Sequence, residues 1–406
     1  MRAACLVLLL SPVFCWGQVW QQWPDFPGTA RDDAAAFSIG TKIYFGTGYQ
    51  TGWVLATDWY AYDIIGIWNS WVAIAPLPAT PRQYCTGIDG GYLFGGLDAN
   101  GPLNELWQYD PGTNSWSQRT SMPAPGRFAS STFTVNGRIF IANGMMENGV
   151  PTNELWEYDL LLDQWTQQAS VPGPPRHRAC SFIDHIGAPQ RGYVAGGADS
   201  AFQVLLDVWC YEVASNVWTQ SAPMPEGRYG SDATWMISGA DVFNGPILLA
   251  GASDDTTFHS DGWIFSAFDN AWIDVGQVLP HGIRGGAMAS ASGGGGWNLT
   301  LFGTGLDSSL TRRQEVYGWG FAFSISERQA SSINLHPNPG STTFTLQLPD
   351  ALHRSQLLVQ DLAGRTVVNA PLLSPTVDAS DWPGGSYLVE VIAPDGRRFR
   401  GRWVKL

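Results

Sequence analysis

The chain has 406 residues, of which 14% are charged, with 35 Asp and Glu against 22 Lys and Arg. A net charge of −13 excludes a basic nucleic-acid surface. The 47 Gly and 20 Trp exclude a fold of long surface helices and favour many short strands joined by turns. Lys occurs only at 42 and 405, so the positive charge rests on Arg, the side chain suited to planar pairing with carboxylates.

Residues 1–17 read as a secretory signal: Arg2, an apolar run over 3–10, Ser11 and Pro12, then the small Gly17 at the point of cleavage. Cys5 and Cys15 leave with it. Cys85, Cys180 and Cys210 remain, an odd set without CxxC spacing, and are expected as buried free thiols. No later run reaches the roughly 18 apolar residues of a membrane helix. The expectation is an exported protein, secreted or held at the outer-membrane surface, with no transmembrane segment.

From residue 19 onward one unit recurs. Trp20 is followed 11 residues later by Arg31, and the same interval separates Trp71 from Arg82, Trp116 from Arg127 and Trp165 from Arg176. Trp218 precedes Arg228 by 10, and Trp272 precedes Arg284 by 12. The clearest unit runs through Arg82, Gly90-Gly91, Tyr92-Leu93-Phe94-Gly95-Gly96, Glu105-Leu106-Trp107-Gln108-Tyr109-Asp110 and Trp116. Each unit holds four short β segments in 45 to 56 residues. The sixth unit, with Arg284, Phe302-Gly303, Tyr317 and Trp319, lacks a final Trp strand, and Trp20 has no unit before it. The Trp20 strand is therefore expected to complete the sixth unit, closing a ring that has no exposed strand edge.

The diglycine after the second strand, the Tyr-Asp of the third and the Trp of the fourth resemble kelch repeats. The resemblance implies an all-β, six-bladed kelch-type β-propeller over 18–321, closed by an N-terminal strand. A Ser-rich linker follows at 322–332. The segment 333–406 resembles the type A C-terminal sorting domain of the type IX secretion system. That resemblance rests on His336-Pro337-Asn338-Pro339, Asp361-Leu362-Ala363-Gly364-Arg365, Gly385-Ser386-Tyr387 and Lys405, with His336 standing where the family usually has Tyr. It implies a small Ig-like β-sandwich and the type IX secretion machinery as partner. Residues 331–406 carry seven Lys and Arg against six Asp and Glu, so the acidity belongs to the propeller.

Alternating strand directions place Arg31, Arg82, Arg127, Arg176, Arg228 and Arg284 on one face, together with the first residues of the third strands, Asp58, Glu105, Glu154, Asp207, Asp261 and Glu315. One reading is a ring of guanidiniums for an anionic ligand. The preferred one is a structural belt of six ion pairs. Loops between second and third strands open on the same face, and their Tyr49, Trp53, Met145 and Phe202 are the candidate ligand contacts. The scattered His177, His185, His259 and His281 form no metal set, and no cofactor is expected. GxSxG, HExxH and P-loop motifs are absent, so no catalytic residue is assigned. The preferred function is binding of an extracellular glycan or protein, not catalysis. The alternative is a carbohydrate-active enzyme of the kind that kelch propellers also support, a galactose oxidase or a sialic-acid mutarotase. That alternative requires an Arg that lacks an acidic partner and faces a pocket with Tyr, Glu or His nearby.

Overall fold

Strand patterning follows the sequence directly. Ser131–Val135 alternates buried and half-buried side chains, while its neighbour Arg138–Ala142 is buried at four consecutive positions, as expected for a strand with sheets packed on both faces. The computed structural model describes residues 20–65, 70–184, 190–237, 244–293, 298–320, 331–347, 355–361, 366–392 and 398–406. The expected signal at 1–17, most of the linker, and Gly364 and Arg365 lie outside the described residues. The chain divides into two compact units, one ending at 321 and the other beginning at 322.

In the first unit the described residues form six four-stranded antiparallel sheets, consistent with kelch propeller blades. The innermost strands are Ala35–Ile39, Thr86–Ile88, Ser131–Val135, Cys180–Asp184, Asp232–Ile237 and Ala287–Ser292, taken as blades 1 to 6 in that order. Blade 6 takes its outer strand from the other end of the repeats, where Gln21–Trp23 pairs with Val316–Gly320. Trp20 packs its ring 6.0 Å from that of Trp319. In blades 2, 3 and 4 the corresponding strand pairs bring Trp116 to Tyr109, Trp165 to Tyr158 and Trp218 to Tyr211.

The outer Trp residues also tie each blade to the one before it. The indole N–H groups of Trp116, Trp165, Trp218 and Trp272 donate to the carbonyls of Ala75, Thr120, Ala169 and Ala222. Trp71 of blade 1 donates to the Pro24 carbonyl at 2.9 Å, the same bond made across the closing seam. Two rings of backbone hydrogen bonds circle the axis. In the first, the N–H groups of Gly48, Gly96, Gly144, Gly197, Gly251 and Gly305 donate to the carbonyls of Arg82, Arg127, Arg176, Arg228, Ile283 and Arg31. These glycines have φ between 87 and 106°, and a Cβ on Gly48 or Gly197 would lie 2.7 Å from a backbone oxygen. That is the physical reason for the second glycine of the doublet. In blade 6 it is Gly305, so the doublet there is Thr304-Gly305 and not Phe302-Gly303.

The second unit packs a five-stranded sheet and a three-stranded sheet around one core that includes Phe344, Val359, Tyr387, Val389 and Trp403. Its described motif residues are bonded within the unit. Asn338 donates to the Arg402 carbonyl and accepts from the Val404 N–H, and the Pro337 carbonyl accepts from the Trp403 indole. The Lys405 ammonium donates to the carbonyls of Ala379, Ser380 and Trp382. The Tyr387 hydroxyl donates to the Pro383 carbonyl. Pro339 follows Asn338 through a cis peptide, Gly385 starts the strand Gly385–Ile392, and Asp361 ends Gln356–Asp361.

Candidate active site

Five of the six arginines form the expected belt. Arg31, Arg82, Arg127, Arg176 and Arg228 are at most 1% exposed, and each is paired with its acid, Asp58, Glu105, Glu154, Asp207 or Asp261, at 2.6 to 2.9 Å. The pairs of Arg31, Arg176 and Arg228 use both carboxylate oxygens. The third-strand indoles of Trp107, Trp156, Trp209 and Trp263 donate to the same acids. Burial alone raises the carboxyls of Glu154, Asp207 and Asp261, but the Arg and Trp bonds outweigh it and hold them below the usual range. Each of these five guanidiniums is thus committed to a carboxylate, although Arg127 Nε and Nη1 and Arg228 Nε have no acceptor among the described residues.

Arg284 departs from the belt. The Ile283 N–H donates to the His259 carbonyl just as the Arg82 N–H donates to that of Ala56, so Ile283 fills the belt position and Arg284 comes one residue later. Glu315 pairs with Arg313 instead, at 3.3 Å. The Arg284 guanidinium lies 5.2 Å from the Phe258 ring and 5.9 Å from that of Tyr229. Its Nε finds no acceptor among the described residues.

This offset delivers Arg284 to the mouth of the central channel. The position after the belt carries Asp32, Gln83, Phe128, His177, Tyr229 and Arg284, and the next carries Asp33, Tyr84, Ala129, Arg178, Gly230 and Gly285. The latter six all have φ between 52 and 62°. Each donates its N–H to the carbonyl of its counterpart in the preceding blade, which makes the second closed ring. Only Gly and a few polar residues adopt this conformation readily, so four side-chain-bearing members mark a built feature. The ring borders a cavity of about 410 Å³ lined by the innermost strands of all six blades.

Asp33, Tyr84 and Arg178 are the polar side chains of that ring, and all three line the cavity. Arg178 donates to the Tyr84 hydroxyl at 2.6 Å, and its guanidinium lies 4.7 Å from the Tyr84 ring. The Arg178 Nε, like that of Arg284, has no acceptor among the described residues. Burial and then the adjacent Asp32 carboxylate push Asp33 up to about 7, against the pull of Arg178, a hydrogen bond with Tyr84, and Arg284. Burial also raises Asp32, opposed by its bond from the Arg312 Nε at 2.6 Å. Two carboxyls, Asp32 and Asp33, and two guanidiniums, Arg178 and Arg284, therefore share one mouth.

The four loop candidates separate. Met145 is 5% exposed, bridged through its backbone to Phe128 and Pro151, and belongs to the interior rather than to a ligand face. Phe202 is exposed and packs edge-on to His177 at 5.0 Å. Tyr49 pairs with Asp32 in a short ribbon, and Trp53 stands beside it at 5.6 Å. The described cysteines, Cys85, Cys180 and Cys210, are buried and free, and burial pushes Cys85 and Cys180 up to about 12, which leaves them unreactive. No group of His, Cys, Asp and Glu suited to a metal occurs among the described residues. Sequence reasoning missed Asp33, Tyr84 and Arg178. Their one shared signal is the fixed distance of two residues after the belt position.

Residues 15–186 match the family model described as the KLHDC2/KLHL20/DRC7 Kelch-repeats domain. N-acetylneuraminate epimerases of Shigella sonnei (strain Ss046) and Escherichia coli (strain K12) are each 31% identical over 133 residues, 31% of this chain. The match spans 34% of the length of each of these relatives. The solved structure of YjhT superposes with a TM-score of 0.59 at 18% identity, covering 72% of this chain and 96% of that one. With its six four-stranded sheets, the chain thus carries a kelch-repeat domain of the β-propeller fold.

Proposed function

We propose that this unit works as a six-bladed propeller, closed by the Trp20 strand, which takes an acidic sugar at the channel mouth and exchanges its anomers. The observation that carries the reading is the cluster that lines one mouth, Asp33, whose carboxyl burial and Asp32 push up to about 7, with Tyr84, Arg178 and Arg284. Exchanging anomers requires a proton to leave the anomeric hydroxyl and another to reach the ring oxygen, and the reverse on closing. A carboxyl poised near neutral pH serves both steps. The guanidiniums suit the sugar's carboxylate. Arg284 also meets the condition set by the sequence for an enzyme, an unpaired Arg at a pocket with Tyr nearby. The named activity of the N-acetylneuraminate epimerases supports the choice of sugar.

The test is anomer exchange of N-acetylneuraminate followed by magnetisation transfer in NMR. The full chain should accelerate it, and Asp33→Asn should lose on the order of 100-fold or more. An exchange rate equal to that of buffer, with no binding, overturns the reading. Glycan binding without turnover is the second reading, favoured by the exposed Trp53. For the C-terminal unit we propose the sorting role, with export through the type IX machinery to the cell surface or beyond. What supports it is the set of motif residues from Pro337 to Lys405, together with the signal-like residues 1–17.

A further inference from the structure

The rim of blade 1 carries two aromatic side chains, Tyr49 and Trp53, side by side in the loop between its second and third strands. Arg31–Asp32, Tyr49–Gln50 and Val54–Leu55 form a three-stranded ribbon, where blades 2 to 5 have single bridges, and its Asp32, paired to Tyr49, lines the cavity. At its tip Trp53 has φ 66° and is 73% exposed. A bulky side chain in this conformation is strained, and the strain is held by a bond from the Trp53 N–H to the Gln50 carbonyl at 3.1 Å. Arg312 buttresses the arrangement, with its guanidinium 4.7 Å from the Tyr49 ring and 4.9 Å from the Trp53 ring. The same guanidinium group holds Asp32, the neighbour of Asp33. The exposed indole is thus separated by one side chain, that of Arg312, from Asp32 at the cavity.

We infer that Trp53 is the platform of a second sugar subsite, and that the substrate is the reducing-end unit of an acidic oligosaccharide rather than a free monosaccharide. This rests on the reading of the mouth given above. If Asp33 handles the anomeric hydroxyl, the anomeric carbon faces into the channel. The rest of a chain must then leave from the opposite side of that ring and pass outward over the rim. An indole face suits the apolar C–H face of the next sugar, while Tyr49 and Arg312 fix its angle. A chain carrying its acidic sugar at the non-reducing end is excluded by the same geometry, since its anomeric carbon is occupied by the chain.

The experiment compares N-acetylneuraminate with its 2→8-linked dimer, using the full chain. Exchange at the dimer's reducing end should show a kcat/KM on the order of tenfold above that of the monomer, the worth of about 1.4 kcal/mol of stacking on one indole face. Trp53→Ala should remove that gain and leave the monomer's kcat/KM within about twofold, and Trp53→Phe should restore most of it. A dimer no better than the monomer, or a Trp53→Ala variant that loses both substrates equally, overturns the subsite while the mouth reading stands. If neither sugar is bound or exchanged, both readings fall.

Discussion

Ile283 and Arg284 show how one position changes a residue's fate. An Arg in the belt is fully buried and needs its carboxylate, so Arg127→Ala should destabilise the protein by about 3–5 kcal/mol, because Glu154 is left half-buried and unpaired. Chemical denaturation measures this. Arg284→Ala breaks no ion pair and should cost less than about 1 kcal/mol in the same assay, while raising KM for the acidic sugar. Equal losses at the two sites would contradict the distinction. The proposed function makes Asp33 the group that sets the pH response of the mouth. The pH profile of kcat/KM should have an inflection near 7, the value to which burial and Asp32 raise its carboxyl, and Asp33→Asn should abolish that inflection.

At the scale of elements, the seam carries the argument. The strand Gln21–Trp23 supplies blade 6 with the edge pairing, the packing of Trp20 on Trp319 and the Pro24 carbonyl bonded by Trp71. Trp20 is 7% exposed, so Trp20→Ala should cost about 3–5 kcal/mol. Deleting 18–24 should lower the melting temperature further, since it leaves blade 6 with an open edge. An unchanged melting temperature in the deletion would mean that the ring does not depend on its closure. The same logic explains the outer Trp residues. Their recurrence is a packing and hydrogen-bonding device between blades, and none of them faces the channel mouth.

For the whole molecule, stability depends on pH through carboxyls of opposite sign. Asp232 joins the inner strands of blades 5 and 6 by accepting the N–H groups of Ala233 and Met288. Burial pushes it up to about 7 despite those bonds. Its folded pKa lies above its unfolded value of 3.8, so its contribution is complete below about 4 and declines as pH rises toward 7. Glu154, Asp207 and Asp261 behave oppositely, losing their contribution only as pH falls through their lowered values. The difference in unfolding free energy between the wild type and Asp232→Ser should therefore shrink from pH 4 to 7 and then level off. A constant difference would place no titration at Asp232.

The sequence by itself determined what every blade repeats. Trp, Tyr, Arg and the paired acid sit in the same packing environment in each sheet, so they recur at readable intervals, and a Trp20 without a preceding unit marked the seam. Only the tertiary structure decided what lies at the axis. The interval of 12 before Arg284 was visible in the chain, but packing alone assigned Ile283 to the belt and released Arg284 to the mouth. Asp33, Tyr84, Ala129, Arg178, Gly230 and Gly285 share a left-handed backbone and a ring of hydrogen bonds, with no common side-chain chemistry. Their spacing, two residues after each belt position, recurs in the sequence but does not tell which of the six side chains matter. The site belongs to the positions where six blades meet and differ, and their differences acquire meaning only once the ring is closed.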